Sequence, residues 1–296
     1  MICQGRRTFR ILYMNFSPVN TILNTGRRLP TAGHQRVITI TGQEAIEFAG
    51  LAGELLLRNG AETSRVEDTV TRICSRAGFT ETEVLVFPTG IIINGFRDGA
   101  RLTRAKRIRA RDVNLTVVSI VNDISRKFAD SKITPEDGLA KLRELTERSP
   151  GDTRFLWSLT AGALASGAAT VLLGGSWADF VPALIATALV RIIIGAAAFN
   201  LAYILQHYLA GLFAGLIGSL FVDLGFGQHL DKIVVGALLP LVPGVSLTNA
   251  VRDFISGDLL SGTLRMVEAL LVAAALAGGA GFALAVYVGY LRNLIF

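Results

Sequence analysis

Residues 238–270 read LLPLVPGVSLTNAVRDFISGDLLSGTLRMVEAL. An apolar run enters, breaks at Pro240 and again at Pro243 and Gly244, and presents Ser246, Thr248, Asn249, Arg252 and Asp253 before a second apolar run begins. Proline removes a backbone donor and glycine admits left-handed angles, so a helix ending near Val242 cannot run through. Thr248 is placed to cap a new short helix over 249–255, whose N-terminal amides carry partial positive charge. Backbone this irregular at the edge of hydrocarbon has to be buried in protein or line a polar cavity, because lipid satisfies neither freed N–H nor freed C=O groups. The stretch is therefore either a re-entrant solute site or a cytoplasmic elbow between two spans. Broken helices whose ends face a solute are a recurrent device of secondary transporters.

Outward from this stretch, the charges divide the chain. Of its 296 residues, 51% are hydrophobic, too many for two soluble domains of ordinary composition. Lys, Arg, Asp and Glu are crowded into the first half, and only eleven of them lie beyond Arg154. A polar domain is thus followed by a membrane domain. The net charge of +6 comes mostly from arginines ahead of the first span. Basic residues held on the cytoplasmic side follow the positive-inside tendency, so no nucleic-acid partner is needed to explain them. Cys3 and Cys74 lie far apart in the polar part, where a buried thiol is expected rather than a disulfide.

Residues 1–40 show no sustained period and form either a tail or a stretch upstream of a start at Met14. Their apolar core, broken by Arg10, Tyr13 and Asn15, is too short for a signal sequence. From Thr41 the pattern is helical, with Ala45, Phe48, Ala49, Ala52, Leu55 and Leu56 at spacings of three and four and Glu44 completing a capping box. Asn59-Gly60 stops that helix, and a second follows with Val66, Val70, Ile73, Cys74 and Ala77 on one face and Gly78 as its stop. Runs at 84–87, 90–96 and 101–108 are strands joined by turns at Pro88-Thr89 and Asp98-Gly99. Helices over 112–129 and 134–148 complete an α+β domain of residues 41–150. Apolar segments near 155–174, 178–199, 203–224, 230–248 and 262–290 are each long enough to span, giving an all-α polytopic membrane domain of five transmembrane helices over 151–296. Their frequent Gly and Ala predict close helix packing. An odd number of spans places the two termini on opposite sides, and the arginine-rich N-terminal domain is expected in the cytoplasm, which puts the C-terminus outside.

No motif points to catalysis. His34, His207 and His229 are isolated, neither cysteine has metal-ligand spacing, and no phosphate loop or dinucleotide fingerprint is present. The expectation is no catalytic residue, no metal and no cofactor, with transport driven by a gradient. Arg191, inside LIATALVRIIIGAAAF, is a functional-site hypothesis by its cost in hydrocarbon; its alternative is to snorkel to the cytoplasmic interface. Glu268 either pairs with Arg265 on one helix face or carries protons in the bundle. Asp223 and Asp231 read as interfacial caps. Glu62, Thr63, Arg65, Glu67 and Asp68 cluster at a helix start, where a solvated, capped turn is the simpler reading. The basic run from Arg101 to Arg111 lacks aromatics and suits anionic lipid headgroups better than nucleic acid.

Two stretches carry a family resemblance. GAETSRVEDT at 60–69 resembles the signature of the cytoplasmic domain of the threonine/serine exporter family, and PLVPGVSLTNAVRDFISGD at 240–258, continuing to Arg265 and Glu268, resembles that family's membrane signature. The likeness runs from Thr41 to the C-terminus. It implies a bacterial inner-membrane exporter of small hydrophilic metabolites, threonine and serine or, in the two-gene form, dicarboxylates such as succinate. Single-chain members have roughly twice as many spans as the five read here. That difference implies the larger subunit of the split form, completed by a second, smaller integral-membrane subunit.

The resulting expectation is a secondary exporter subunit in the lipid bilayer, working with the smaller subunit or as a homo-oligomer. The solute would meet Arg191, Ser246, Thr248, Asn249 and Arg252 where the fourth span breaks at Pro240, Pro243 and Gly244, with carboxylate held by guanidinium and helix-end amides. Asp253 or Glu268 would couple protons. The competing classes are a membrane-anchored hydrolase using Glu62, Glu67 and Asp68, and a metabolite sensor binding through residues 41–150.

Overall fold

The computed structural model describes residues 40–108, 113–147, 152–197, 201–287 and 289. The expected tail and its alternative start, Arg109, Arg111, Asp112, the linker over 148–151 and the ends of the second and fifth apolar segments lie outside the described residues.

The N-terminal part opens with α1 (Gly42–Arg58) and α2 (Thr63–Arg76). Thr41 caps α1 in a full capping box: its hydroxyl accepts from the Glu44 amide at 3.2 Å, while the Glu44 carboxylate accepts from the Thr41 amide at 3.0 Å. Gly60 and Gly78, the stops expected from sequence, both have positive φ. Three antiparallel strands follow, β1 (Thr80–Phe87), β2 (Gly90–Arg97) and β3 (Ala100–Arg107), paired in sequence order. Val84 opposes Ile93 and Val86 opposes Ile91, which puts one set of side chains under α1 and α2. The first strand starts earlier than its apolar run suggests, because an irregularity between Thr80 and Glu83, with Glu81 at positive φ, carries the pairing on to Phe96.

Helices α3 (Leu115–Ala129) and α4 (Pro135–Glu147) close the domain. Asn114 caps α3 by accepting from the Val117 amide, and Thr134 caps α4 by accepting from the Asp137 amide. One core results, in which Phe48, Ile73, Ile91, Ile93, Phe128 and Leu142 are all fully buried. Phe48 meets Phe128 edge to face at 5.1 Å between centroids, a pair worth about 0.5–1.5 kcal/mol beyond its area. Truncating Phe48 to alanine would cost about 3–5 kcal/mol.

The remaining helices are α5 (Asp152–Leu172), α6 (Trp177–Ala197), α7 (Tyr203–Asp223), α8 (Leu230–Leu238), α9 (Gly244–Ile255) and α10 (Leu259–Val286). Among the described residues four, α5, α6, α7 and α10, are long and apolar enough to cross a membrane. The count becomes five if α8, its 3₁₀ turn Leu239–Leu241 and α9, bent by 60°, make one broken span. The segment expected as a fourth span over 230–248 is therefore not one helix. Nor does the second piece start at Asn249: α9 begins at Gly244 with Pro243 at its cap, and the Thr248 hydroxyl donates back to the Gly244 carbonyl at 2.9 Å rather than capping.

Glycine fits the bundle together. A Cβ on Gly279 of α10 would stand 1.9 Å from the Tyr208 carbonyl oxygen of α7, and one on Gly211 would stand 2.1 Å from the Leu276 carbonyl oxygen. These helices thus touch backbone to backbone, as small residues allow. Apolar side chains such as Trp157, Leu172 and Trp177 face outward, which suits hydrocarbon as solvent.

Candidate functional site

The two polar stretches singled out in the sequence, 190 residues apart, dock on each other. Helix α9 carries Asn249, Arg252 and Asp253 on one side, at spacings that share a helix face. That side meets the turn from α1 into α2. Asn249 Nδ2 donates to the Gly60 carbonyl at 2.9 Å, and Arg252 Nη1 donates to Glu62 Oε2. Asp253 accepts from the Thr63 amide and the Thr63 hydroxyl, both at 3.2 Å. The free amides at the start of α2 are thereby met by a carboxylate from another helix, which also suits the helix dipole.

Arg265 of α10 completes the seam. Its Nη2 donates to the Ala61 carbonyl at 2.9 Å, and its Nε stands 3.0 Å from Asp253 Oδ2. The Ser261 hydroxyl adds a bond to the Val86 carbonyl on β1 at 3.3 Å. Glu62 is the residue before α2, yet it makes no capping bond of its own; its other oxygen accepts from Arg65 Nε at 3.1 Å. Burial pushes the Glu62 carboxyl up, but the hydrogen bonds and charges of Arg252 and Arg65 more than offset this, so it titrates below the ordinary glutamate value. Glu67, one turn on, is pushed up by burial and by Asp258, Asp68 and Asp253 around it.

Beside the seam lies a cavity of about 920 Å³. Glu62 and Arg65 line it from the start of α2, Gly244, Thr248, Asn249 and Arg252 from α9, and Ser119, Asn122, Asp123 and Arg126 from α3. Three guanidinium groups thus border one space. The α3 residues went unnoticed in the sequence, although Ser119, Asn122, Asp123 and Arg126 recur at helical spacing and make a polar stripe on a helix whose other side is apolar.

Other expected site residues lie elsewhere. Arg191 of α6 donates from Nη1 to the Ser158 carbonyl and from Nη2 to the Ser158 hydroxyl of α5, each at 3.0 Å. A Cβ on Gly162 would touch both the Arg191 guanidinium and Pro240, so the arginine stands near the broken helix without lining the cavity. Ser246 is half-buried on α9. Glu268 borders a second, mostly apolar cavity of about 400 Å³ between the Pro88-Thr89 turn, the start of α7 and α10. Arg265, the helix-face partner weighed for it in the sequence, stands 3.0 Å from Asp253 Oδ2. The basic run on β3 is partly neutralised, Arg101 by Glu81 and Lys106 by Glu54.

At the other end of the bundle, Asp179 is fully buried and accepts from the Ser176, Gln228 and His229 amides and the Ser176 hydroxyl. His229 Nδ1 stands 2.8 Å from its Oδ2. This histidine looks isolated in sequence because its partner is 50 residues away. Among the described residues no group of three His, Cys, Asp or Glu side chains could hold a metal ion.

Comparison with known proteins places these features in a family. A family model described as "Putative threonine/serine exporter" matches residues 47–287. The chain is 26% identical over 247 residues to a "Threonine/serine exporter" of Corynebacterium glutamicum, covering 80% of this chain and 50% of that protein. It is 22% identical over 284 residues to a "Probable threonine/serine exporter" of Mycobacterium tuberculosis, covering 88% and 52%. It is also 27% identical over 239 residues to the "Probable succinate transporter subunit YjjP" of Escherichia coli, covering 79% and 91%. The chain thus spans about half the length of the first two relatives and most of the third. No solved structure matches. Because the matched region takes in both docked motifs and every described helix of the bundle, the chain belongs to the threonine/serine exporter family.

Proposed function

We propose that this chain is one subunit of a secondary exporter for small hydrophilic metabolites, either amino acids of the threonine/serine type or dicarboxylates such as succinate. The observation that carries this reading is the cavity at the foot of the broken helix, where guanidinium groups from both family motifs converge. In this reading the solute enters from the polar domain, meets Arg252, Thr248 and Asn249 on α9, and passes toward Arg191 near the Pro240 break. Ser246 lies on the same helix and serves the same path. Glu268, in hydrocarbon-like surroundings, is the proton-coupling carboxylate, whereas Asp253 acts through the seam it holds.

The polar domain then lies in the cytoplasm of a bacterial cell and the chain sits in its inner membrane, with Arg252 and Arg265 on the same side as the arginine-rich domain. The relatives named as subunits support a second, smaller membrane subunit as partner. Catalysis plays no part in this reading, which calls on no nucleophile and no general base.

The test is export from cells that lack their own exporter, loaded with threonine, serine and succinate and expressing this chain with and without the smaller subunit. Export of one solute only when both are present is the expected result and names the substrate class. Absence of export, with both proteins found in the membrane, would overturn the exporter reading in favour of a metabolite sensor built on the polar domain.

A further inference from the structure

Glu62 holds an odd position for a helix-start carboxylate. It leaves the α2 amides to Asp253 and instead reaches into the cavity, where Arg65 Nε and Arg252 Nη1 take one oxygen each. The other cavity carboxylate, Asp123, is tied to Lys127 at 2.7 Å. Arg126, the third guanidinium, makes no ion pair among the described residues and is exposed toward the same space. Gly244 and Val245, at the opening of α9, border the cavity too, so the positive end of that helix adds to its preference for negative charge. A space with this charge pattern attracts anions, and its best anion position is already filled by a side chain of the protein.

We infer that the cavity is a binding site for small dicarboxylates, and that Glu62 is its tethered resident anion, which a solute carboxylate must displace from Arg65 and Arg252. Two arguments select a dianion over a zwitterion. The three guanidinium groups outnumber the two lining carboxylates, Glu62 and Asp123, and Asp123 is shared with Lys127, so the space is net positive and holds a second solute carboxylate better than an ammonium group. Arg126 comes from α3 and Arg252 from α9, so the two ends of a dicarboxylate can be held by different elements. Displacement has a mechanical consequence. The Glu62–Arg252 pair is one of the bonds that join the polar domain to α9, so filling the cavity removes a fastener from the seam and loosens the broken helix. Asp253, Thr63 and Arg265 keep the domain attached while this happens.

The inference rests on the exporter reading only in taking this cavity as the solute's station, and binding can be measured apart from export. The full chain, purified in detergent, is titrated with succinate, threonine and sulfate by calorimetry, as wild type and as Glu62→Gln, Arg252→Ala and Arg126→Ala. Succinate should bind Glu62→Gln about tenfold more tightly than wild type, equivalent to about 1.4 kcal/mol, because the competing charge is gone. Arg252→Ala should lose binding, and Arg126→Ala should lose the advantage of succinate over a monocarboxylate such as acetate. In wild type, succinate should also speed hydrogen exchange across residues 60–66, a readout that a merely structural Glu62 would not move. Equal or weaker succinate binding by a folded Glu62→Gln overturns the displacement. Tighter binding of threonine than of succinate overturns the dicarboxylate assignment, and equal binding of sulfate would show an adventitious anion site only. Each of these can occur with export intact in cells, so failure here and failure of the exporter reading are separable.

Discussion

Arg265 on α10 holds its Nε 3.0 Å from Oδ2 of Asp253 on α9, with the arginine side chain 9% and the aspartate 1% exposed. The same aspartate receives both polar hydrogens of Thr63, and the same arginine reaches the Ala61 carbonyl. Two charges this deeply buried are tolerated because each has several partners. Removing either takes from the other its nearest opposite charge in a dry place, a loss of the kind that costs about 3–5 kcal/mol. Arg265→Ala and Asp253→Asn should therefore each lower the melting temperature of the detergent-purified chain by several degrees. The double variant should cost less than the sum of the two. Additive losses in that cycle would mean that the pair is not coupled.

That pairing bears on what the sequence could disclose. Local devices were legible, since the Thr41–Glu44 box, the stops at Gly60 and Gly78 and the halt before Pro243 depend on residues within a few positions of one another. The start of α9 differs from the expected Asn249, because Pro243 itself sits at the cap and Thr248 spends its hydroxyl on the Gly244 carbonyl. The site was legible only as two separate halves. Glu62 and Arg252 each look like ordinary solvated charges near a helix end, and nothing within either motif says that the other, 190 residues away, supplies its partner. Asp179 and His229 were hidden for the same reason: a lone carboxylate at a helix start and a lone histidine become a buried network only once α6 and the α7–α8 turn meet.

Glycines 279 and 281 lie two residues apart on α10 and have opposite surroundings. A Cβ on Gly279 would fall 1.9 Å from the Tyr208 carbonyl oxygen, whereas one on Gly281 would meet nothing within 4 Å. Gly279→Ala must push α7 and α10 apart along their shared backbone contact, and overpacking of this kind costs about 1–3 kcal/mol or more. Gly281→Ala should be neutral or slightly stabilising, since alanine is the better helix former. Thermal unfolding of the two variants in the same detergent checks the contrast, and equal melting temperatures would contradict the packing described.

Cys74 is fully buried under α1 and the sheet, and burial pushes its thiol pKa up to about 12. In a Cys3→Ser background it should resist maleimide at pH 8 for as long as the polar domain is folded, and react on unfolding. The direction of the shift also fixes its effect on stability. Folding favours the protonated thiol, so this group's contribution is fully present below the ordinary thiol value of 9.0 and falls as pH rises from there toward about 12. Cys74→Ala should flatten that alkaline decline. Rapid labelling of the folded chain at pH 8 would contradict the burial.

Arg191 grips a single residue with both arms of its guanidinium, Nη1 on the Ser158 carbonyl and Nη2 on the Ser158 hydroxyl. Lysine cannot reproduce that fork, because an ammonium is a point charge without paired, coplanar donors. If Arg191 meets the solute near the Pro240 break, Arg191→Ala and Arg191→Lys should both lower export at least tenfold, corresponding to about 1.4 kcal/mol, with membrane levels unchanged. Ser158→Ala removes one arm of the grip and leaves the charge, so it should keep most of the export activity. A helix fastener would behave differently: all three variants would lose melting temperature, and export would fall only in step with the amount of folded protein. Measuring export per molecule of membrane-resident chain separates these outcomes, and full export by Arg191→Ala would remove the residue from the solute path.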